Sequence, residues 1–165
     1  MNNVYLSSQK QLFFFTLAAV LFLVVIAYLP SLKNDFVNWD DGVHLLQNKD
    51  IATLDFKHLK AIFQSHVNTI YLPLTLLSFS VEHHFFGFDP FIYHLNNLIL
   101  HVLVTALIYW LIYRWTFSIS TATIAALLFG IHPTHVESVA WVTERKDVLY
   151  AFFYLAALHC YWSYI

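Results

Sequence analysis

LFFFTLAAVLFLVVIAYL, residues 12–29, decides the class of fold. It is 18 residues without a charge, a glycine or a proline. A bilayer core takes about 20 apolar residues as a helix, so this run spans with slight thinning or with flanking anchors. Lys10 and Gln11 precede it and Pro30 follows it. A secretory signal peptide shares the single basic residue before an apolar core. The run is longer than a usual signal core, however, and Tyr28-Leu29-Pro30-Ser31-Leu32 is not a small-residue cleavage site. We read a retained membrane helix.

Three more apolar runs follow. Residues 95–113 end at Arg114, with Tyr109, Trp110, Tyr113 and Trp115 forming an interfacial aromatic belt. Residues 116–131 are short and carry several Ser and Thr. Residues 148–165 are uncharged, with Tyr and Trp at the end. The fold class expected is an all-α integral membrane protein of about four transmembrane helices, near residues 12–29, 95–113, 116–131 and 148–165. The chain reads as a single membrane domain without an internal repeat.

Composition agrees. The 165 residues are 59% hydrophobic and 11% charged, against about 25% charged in soluble domains. Eight Lys and Arg against ten Asp and Glu exclude a basic nucleic-acid-binding face. A lone cysteine, Cys160, excludes an intramolecular disulfide framework and a Cys-based zinc site.

Residues 30–93, between the first two runs, hold seven of the ten acids and four of the eight bases. They form a long loop with helical, partly interfacial segments. Thr53 is expected to cap a helix placing Phe56, Leu59, Ile62 and Phe63 on one face. Residues 71–86 are apolar but carry Pro73, Glu82, His83 and His84, which suits an interfacial or re-entrant helix better than a span. Cation counting favours the loop side as cytoplasmic. That rule weakens for loops longer than about 60 residues, and an external loop would give those cations an anionic ligand to meet.

Three polar clusters could carry chemistry. In Asn38-Trp39-Asp40-Asp41-Gly42, one of two adjacent carboxylates suits a general base; a helix cap is the plainer reading. His94, Asn97 and His101 share one helix face, lining a cavity or bonding between helices. His94 and His101 are about 10.5 Å apart along the axis, too far to share one ion. His132-Pro133-Thr134-His135-Val136-Glu137, followed by Glu144-Arg145-Lys146-Asp147, offers a His/Glu cluster and two cations for a phosphate. It also reads as a capped turn with snorkelling charges. A haem bundle would need His on facing helices at matched depth, which these positions do not offer.

In order, Phe36-Val37-Asn38-Trp39-Asp40-Asp41, Tyr71-Leu72-Pro73-Leu74-Thr75, Phe86-Gly87-Phe88-Asp89-Pro90, Tyr93-His94-Leu95-Asn96-Asn97 and the 129–149 stretch resemble a known family. It is that of the transmembrane-and-tetratricopeptide-repeat O-mannosyltransferases and their bacterial relatives, in the GT-C superfamily. The resemblance runs over roughly residues 12–165. It implies a membrane enzyme that takes a sugar, mannose in this family, from a polyprenyl-phosphate-linked donor to a protein Ser or Thr hydroxyl. It implies Asp40, Asp41 and Glu137 as catalytic acids, and Arg145 and Lys146 near the donor phosphate. His94, Asn97, His101, His132 and His135 would line the cavity. No cofactor is certain; a divalent metal bridging Asp40 or Asp41 and Glu137 stays open.

Family members carry many more helices and a tetratricopeptide-repeat domain, so the chain is expected to be an N-terminal module of a larger fold with a downstream helical-repeat partner. The membrane expected is a bacterial inner membrane with a periplasmic site; an endoplasmic reticulum membrane stays open. A non-enzymatic membrane subunit, whose polar residues only pack helices, is the competing reading.

Overall fold

The computed structural model describes residues 2–165, with side chains from Ser8 onward. Its helices are α1 (Asn2–Tyr28), α2 (Phe56–Ile62), α3 (Pro73–Phe86), α4 (Pro90–Thr116), α5 (Ile119–Gly130), α6 (Val136–Ala140) and α7 (Arg145–Tyr164). Short 3-10 or π turns lie at Leu29–Lys33, Gly42–Leu46, Lys49–Ile51, Pro133–His135 and Val142–Glu144. Among the described residues there is no strand, only an isolated bridge between Val67 and Ile70.

Local chemistry sets the boundaries. Gly87 ends α3 at φ 64°, ψ −148°, a region essentially reserved for glycine. Asp89 then accepts from the Phe91 amide, and Pro90 occupies the first turn of α4. α4 therefore starts five residues before its apolar run. Ser118 caps α5 through the Thr121 amide. The cap of α2 is Asp55 rather than Thr53: Asp55 accepts from the His58 amide at 2.9 Å, and Thr53 donates to Asp55. The His58 amide and ring bonds hold the Asp55 carboxyl down at about 2. Only Ile62 of the expected apolar face is fully buried; Phe56 and Phe63 are exposed.

α4 is the central helix and packs on α1, α5, α6 and α7. Val20, Tyr109, Ala122 and Ala126 fill the space between α1, α4 and α5. A second cluster, Leu45, Ile51, Ile62, Leu76, Phe79, Tyr93 and Val142, seats the loop against α3 and α4. At Gly130 the helices approach closely. A Cβ there would lie 2.5 Å from Val24 Cγ2 and 3.1 Å from Thr105 Cγ2. Small residues let membrane helices approach in this way.

Ser8–Lys33 and Pro90–Thr116 are long and apolar enough to cross a membrane. Ile119–Gly130 with Pro133–Ala140, bent by 49°, makes up to three. The chain is thus an integral membrane protein with two or three candidate spans, fewer than the expected four. α5 alone is 12 residues, about 18 Å at helical rise, and needs the bent segment to span. α7 occupies the fourth expected position, but Tyr150, Tyr154, His159, Tyr161 and Trp162 dilute its apolar character. α3 has 14 residues, about 21 Å, too short for a core of about 30 Å.

Gly130→Ala should lower the thermal unfolding midpoint in detergent, because overpacking costs about 1–3 kcal/mol. An unchanged midpoint would show that Val24 yields freely.

Candidate active site at the first loop

The site is built on a buried cation. Arg145, the first residue of α7, is 0% exposed. Its Nη1 donates to Glu82 Oε1 at 2.5 Å and to Ser78 Oγ at 3.0 Å, both on α3. Its Nε donates to Asn97 Oδ1 at 2.6 Å, and Nη2 to the Tyr93 carbonyl at 2.8 Å, both on α4. The guanidinium also lies 4.6 Å from the Phe79 ring centroid. Asn96 adds a bond to Glu82. Burial pushes the Glu82 carboxyl above its usual range, and Arg145 and Asn96 pull it back. All three guanidinium nitrogens of Arg145 are thus bonded to groups on α3 and α4.

Asn97 turns its amide to the Trp141 carbonyl at 3.0 Å and so fixes the 141–144 turn. Asp41 holds the same turn from the other side. One carboxylate oxygen accepts from Trp141 Nε1 at 3.0 Å and the Thr143 amide at 3.2 Å; the other accepts from the Val37 amide at 2.9 Å. Asp41 does not cap the Gly42–Leu46 turn with its side chain. It ties the first loop to a segment 100 residues away. Trp39, 74% exposed, stands edge-on to Trp141 at 6.5 Å.

Beside this tie lies a charged cluster. Lys146 Nζ donates to Glu144 Oε1 at 2.5 Å, and the Lys146 side chain is 27% exposed. His44 is within electrostatic reach of Asp40, Asp41, Glu144 and Lys146. Its burial holds the imidazole below the ordinary value of 6.5; Lys146 acts the same way, and the three carboxylates oppose it. Lys146 also stands on the wall of a groove of about 390 Å³ between α7 and the start of α3. The rest of that wall is mainly apolar and aromatic, with Tyr71, Leu74, Leu149, Tyr150 and Phe153.

His94, Asn97 and His101 are buried between helices, with Asn97 in the hub around Arg145. His101 Nε2 is 2.9 Å from the Gly130 carbonyl, and its ring stacks on Phe129. His135 packs on the same Phe129 ring. His132 is exposed and caps the Pro133–His135 turn. Glu137 is exposed on α6. Among the described residues no group of three His, Cys, Asp or Glu is arranged to hold a metal ion.

The chain is 34% identical over 145 residues to protein O-mannosyl-transferase tmtc2 of Xenopus laevis, an overlap of 83% of this chain and 17% of that protein. It is 33% identical to human protein O-mannosyl-transferase TMTC1, over 82% of this chain and 16% of the relative. With human TMTC3 the identity is 33%, over 84% and 16%. The chain belongs to the TMTC protein O-mannosyltransferase family. It spans about a sixth of the length of these relatives. No family model matches the chain. No solved structure matches it either.

Within this family member, three residues outside the expected set stand at the site: Glu82, His44 and Glu144. Glu82 carried the clearest signal, an acid in an otherwise apolar stretch. Such a group needs a buried partner, and Arg145 is that partner. His44 has Asp40 and Asp41 near it in sequence and Glu144 has Lys146, but the meeting of these two local groups joins positions about 100 residues apart and left no signal.

Two measurements probe this geometry. Arg145→Met should destabilise the protein by about 3–5 kcal/mol, the cost of stranding a buried charge; adding Glu82→Met should restore part of the loss. For His44, a folded value depressed below 6.5 means that the native state binds fewer protons than the unfolded chain just below that pH. Stability should therefore be flat above pH 6.5 and fall as pH drops through 6.5 toward the depressed value. His44→Gln should flatten that fall in a pH series of unfolding midpoints.

Proposed function

We propose that the chain supplies the N-terminal helices and catalytic loop of a membrane protein O-mannosyltransferase, with a GT-C-like, four-helix module. The donor is a polyprenyl-phosphate-linked mannose and the acceptor a protein Ser or Thr hydroxyl. The loop faces the periplasm, or the lumen in an endoplasmic reticulum membrane. The observation that carries this reading is Lys146 at a largely apolar groove, beside the cluster around Asp40. A lipid-linked phosphate needs a cation at the membrane surface and an apolar path for its tail. Further spans and a helical-repeat domain elsewhere in the enzyme would complete both substrate sites.

In this scheme Asp40 takes the proton from the acceptor hydroxyl. The oxygen forms its bond to the anomeric carbon as the bond to the phosphate oxygen breaks. The lipid phosphate leaves with the electron pair, and the centre inverts. Lys146 stabilises the charge that develops on the departing phosphate. Asp41 and Arg145 act as positioning residues: the first anchors the loop beside Trp141, the second fixes the start of α7 and so aims Lys146. Glu137 is assigned no step.

The test is mannose transfer from polyprenyl-phosphate mannose to a Ser/Thr peptide, in membranes from cells expressing the gene. Asp40→Asn should reduce kcat by about 100-fold or more. Lys146→Gln should raise KM for the donor and lower kcat, and Lys146→Arg should retain part of the activity. Glu137→Gln should leave transfer near the parent level. Full activity in Asp40→Asn would remove the assigned base and leave the helix-packing subunit as the better account.

A further inference from the structure

The acids of this chain lie at positions 35–89 and 137–147. Residues 2–34, 90–136 and 148–165 contain none. The end of the bundle opposite the loop is therefore free of carboxylate side chains, yet it holds two cations. Lys10 near the start of α1 and Arg114 near the end of α4 stand on the walls of one groove of about 510 Å³, with Phe13, Phe14, Trp110 and Tyr113. Arg114 is oriented from two sides. Its Nη1 donates to Ser163 Oγ of α7 at 3.1 Å, and its guanidinium carbon lies 5.8 Å from the Trp110 ring centroid. Neither cation pairs with a carboxylate among the described residues.

The groove continues inward. A second one, of about 450 Å³, shares Phe13, Phe14 and Trp110 with the first and runs on past Leu17, Leu103 and Leu107 to Phe152. Its walls carry no charged side chain. Together the two present a cationic mouth at the membrane surface and an apolar channel toward the bilayer centre. That is the chemistry of an anionic lipid, with a phosphate headgroup for the cations and an acyl chain for the channel. Basic pockets between membrane helices bind acidic headgroups in this way.

We infer that Lys10, Arg114 and the apolar groove between α1, α4 and α7 form a site for one anionic glycerophospholipid, on the face of the bundle opposite the catalytic loop. The site is separate from the proposed donor groove and stands or falls without it. Simple snorkelling of two cations toward water would ask for no shared groove and would not distinguish one lipid molecule from a charged surface.

The experiment takes the full chain in nonionic detergent and adds phosphatidylglycerol or phosphatidylcholine of the same acyl composition. Unfolding midpoint and native mass spectrometry are read together. Phosphatidylglycerol should raise the midpoint and stay bound as a one-to-one adduct, and phosphatidylcholine should do neither. The Lys10→Gln/Arg114→Gln variant should keep the lipid-free midpoint and lose at least tenfold in phosphatidylglycerol affinity. Ala106→Phe, which fills the channel, should weaken the adduct while leaving both cations in place. Equal response to the two lipids, retention of the adduct by the double variant, or no phosphatidylglycerol adduct at all would each overturn the site. A midpoint shift reproduced by inorganic phosphate alone would overturn the lipid as its occupant.

Discussion

Arg145 and Glu82 meet inside a cluster of aromatic and aliphatic side chains, and the placement of the first loop depends on that meeting. Two charges taken out of water lose several kcal/mol each of hydration. Their mutual attraction offsets this only with good geometry and further bonds. Here Ser78, Asn96, Asn97 and the Tyr93 carbonyl supply those bonds. The partners sit on α3, α4 and α7, so one guanidinium fixes three elements at one point. Hydrophobic contact alone would allow these helices to slide; a fork of directional donors does not.

Adjacent positions on a helix differ by about 100° in direction. With Arg145 locked inward, Lys146 is turned to the groove and to Glu144. The buried hub thus has a consequence at the surface. Asp41 adds a second constraint from the loop side, because its three donors come from the loop itself and from the 141–143 segment. Two adjacent carboxylates are in this way given different tasks. Asp41 is consumed by backbone and indole donors, and half-buried Asp40 is left beside His44. The identity of neighbouring residues says nothing of this division; their hydrogen-bond partners do.

What was legible in the sequence follows the range of the interaction responsible. The apolar runs at 12–29, 95–113, 116–131 and 148–165 coincide with α1, α4, α5 and α7 because apolarity is a local property. The start of α4 at Pro90 is equally local, written in Asp89-Pro90, but it lies outside the apolar run and so escapes a hydropathy count. Thr53 and Asp55 are both capping residue types; the one standing three residues before the His58 amide wins. The site was legible only as a set of residue types. Asp41 finds its partners 100 and 102 residues on, and the choice of Arg145 rather than Lys146 for the interior depends on Glu82, 63 residues before it. His94, Asn97 and His101 share a face as their spacing requires. What that face meets is decided by α5 and the 141–142 backbone, which the spacing does not contain.

The same hub bears on the charge asymmetry of the chain. Counted along the sequence, the loop side carries six cations and the other side two, which sets the positive-inside rule against an external loop. Folding changes the terms of that count. Arg145 is buried against Glu82 and presents no charge to a membrane surface. Lys146 shares its charge between Glu144 and the groove beside α7. The remaining four, Lys33, Lys49, Lys57 and Lys60, lie in a loop longer than the roughly 60 residues within which the rule holds. Lys10 and Arg114, by contrast, flank spans at the opposite end with no carboxylate beside them. Weighed by what each cation faces in the folded chain, the opposition to an external loop is far smaller than the raw numbers imply.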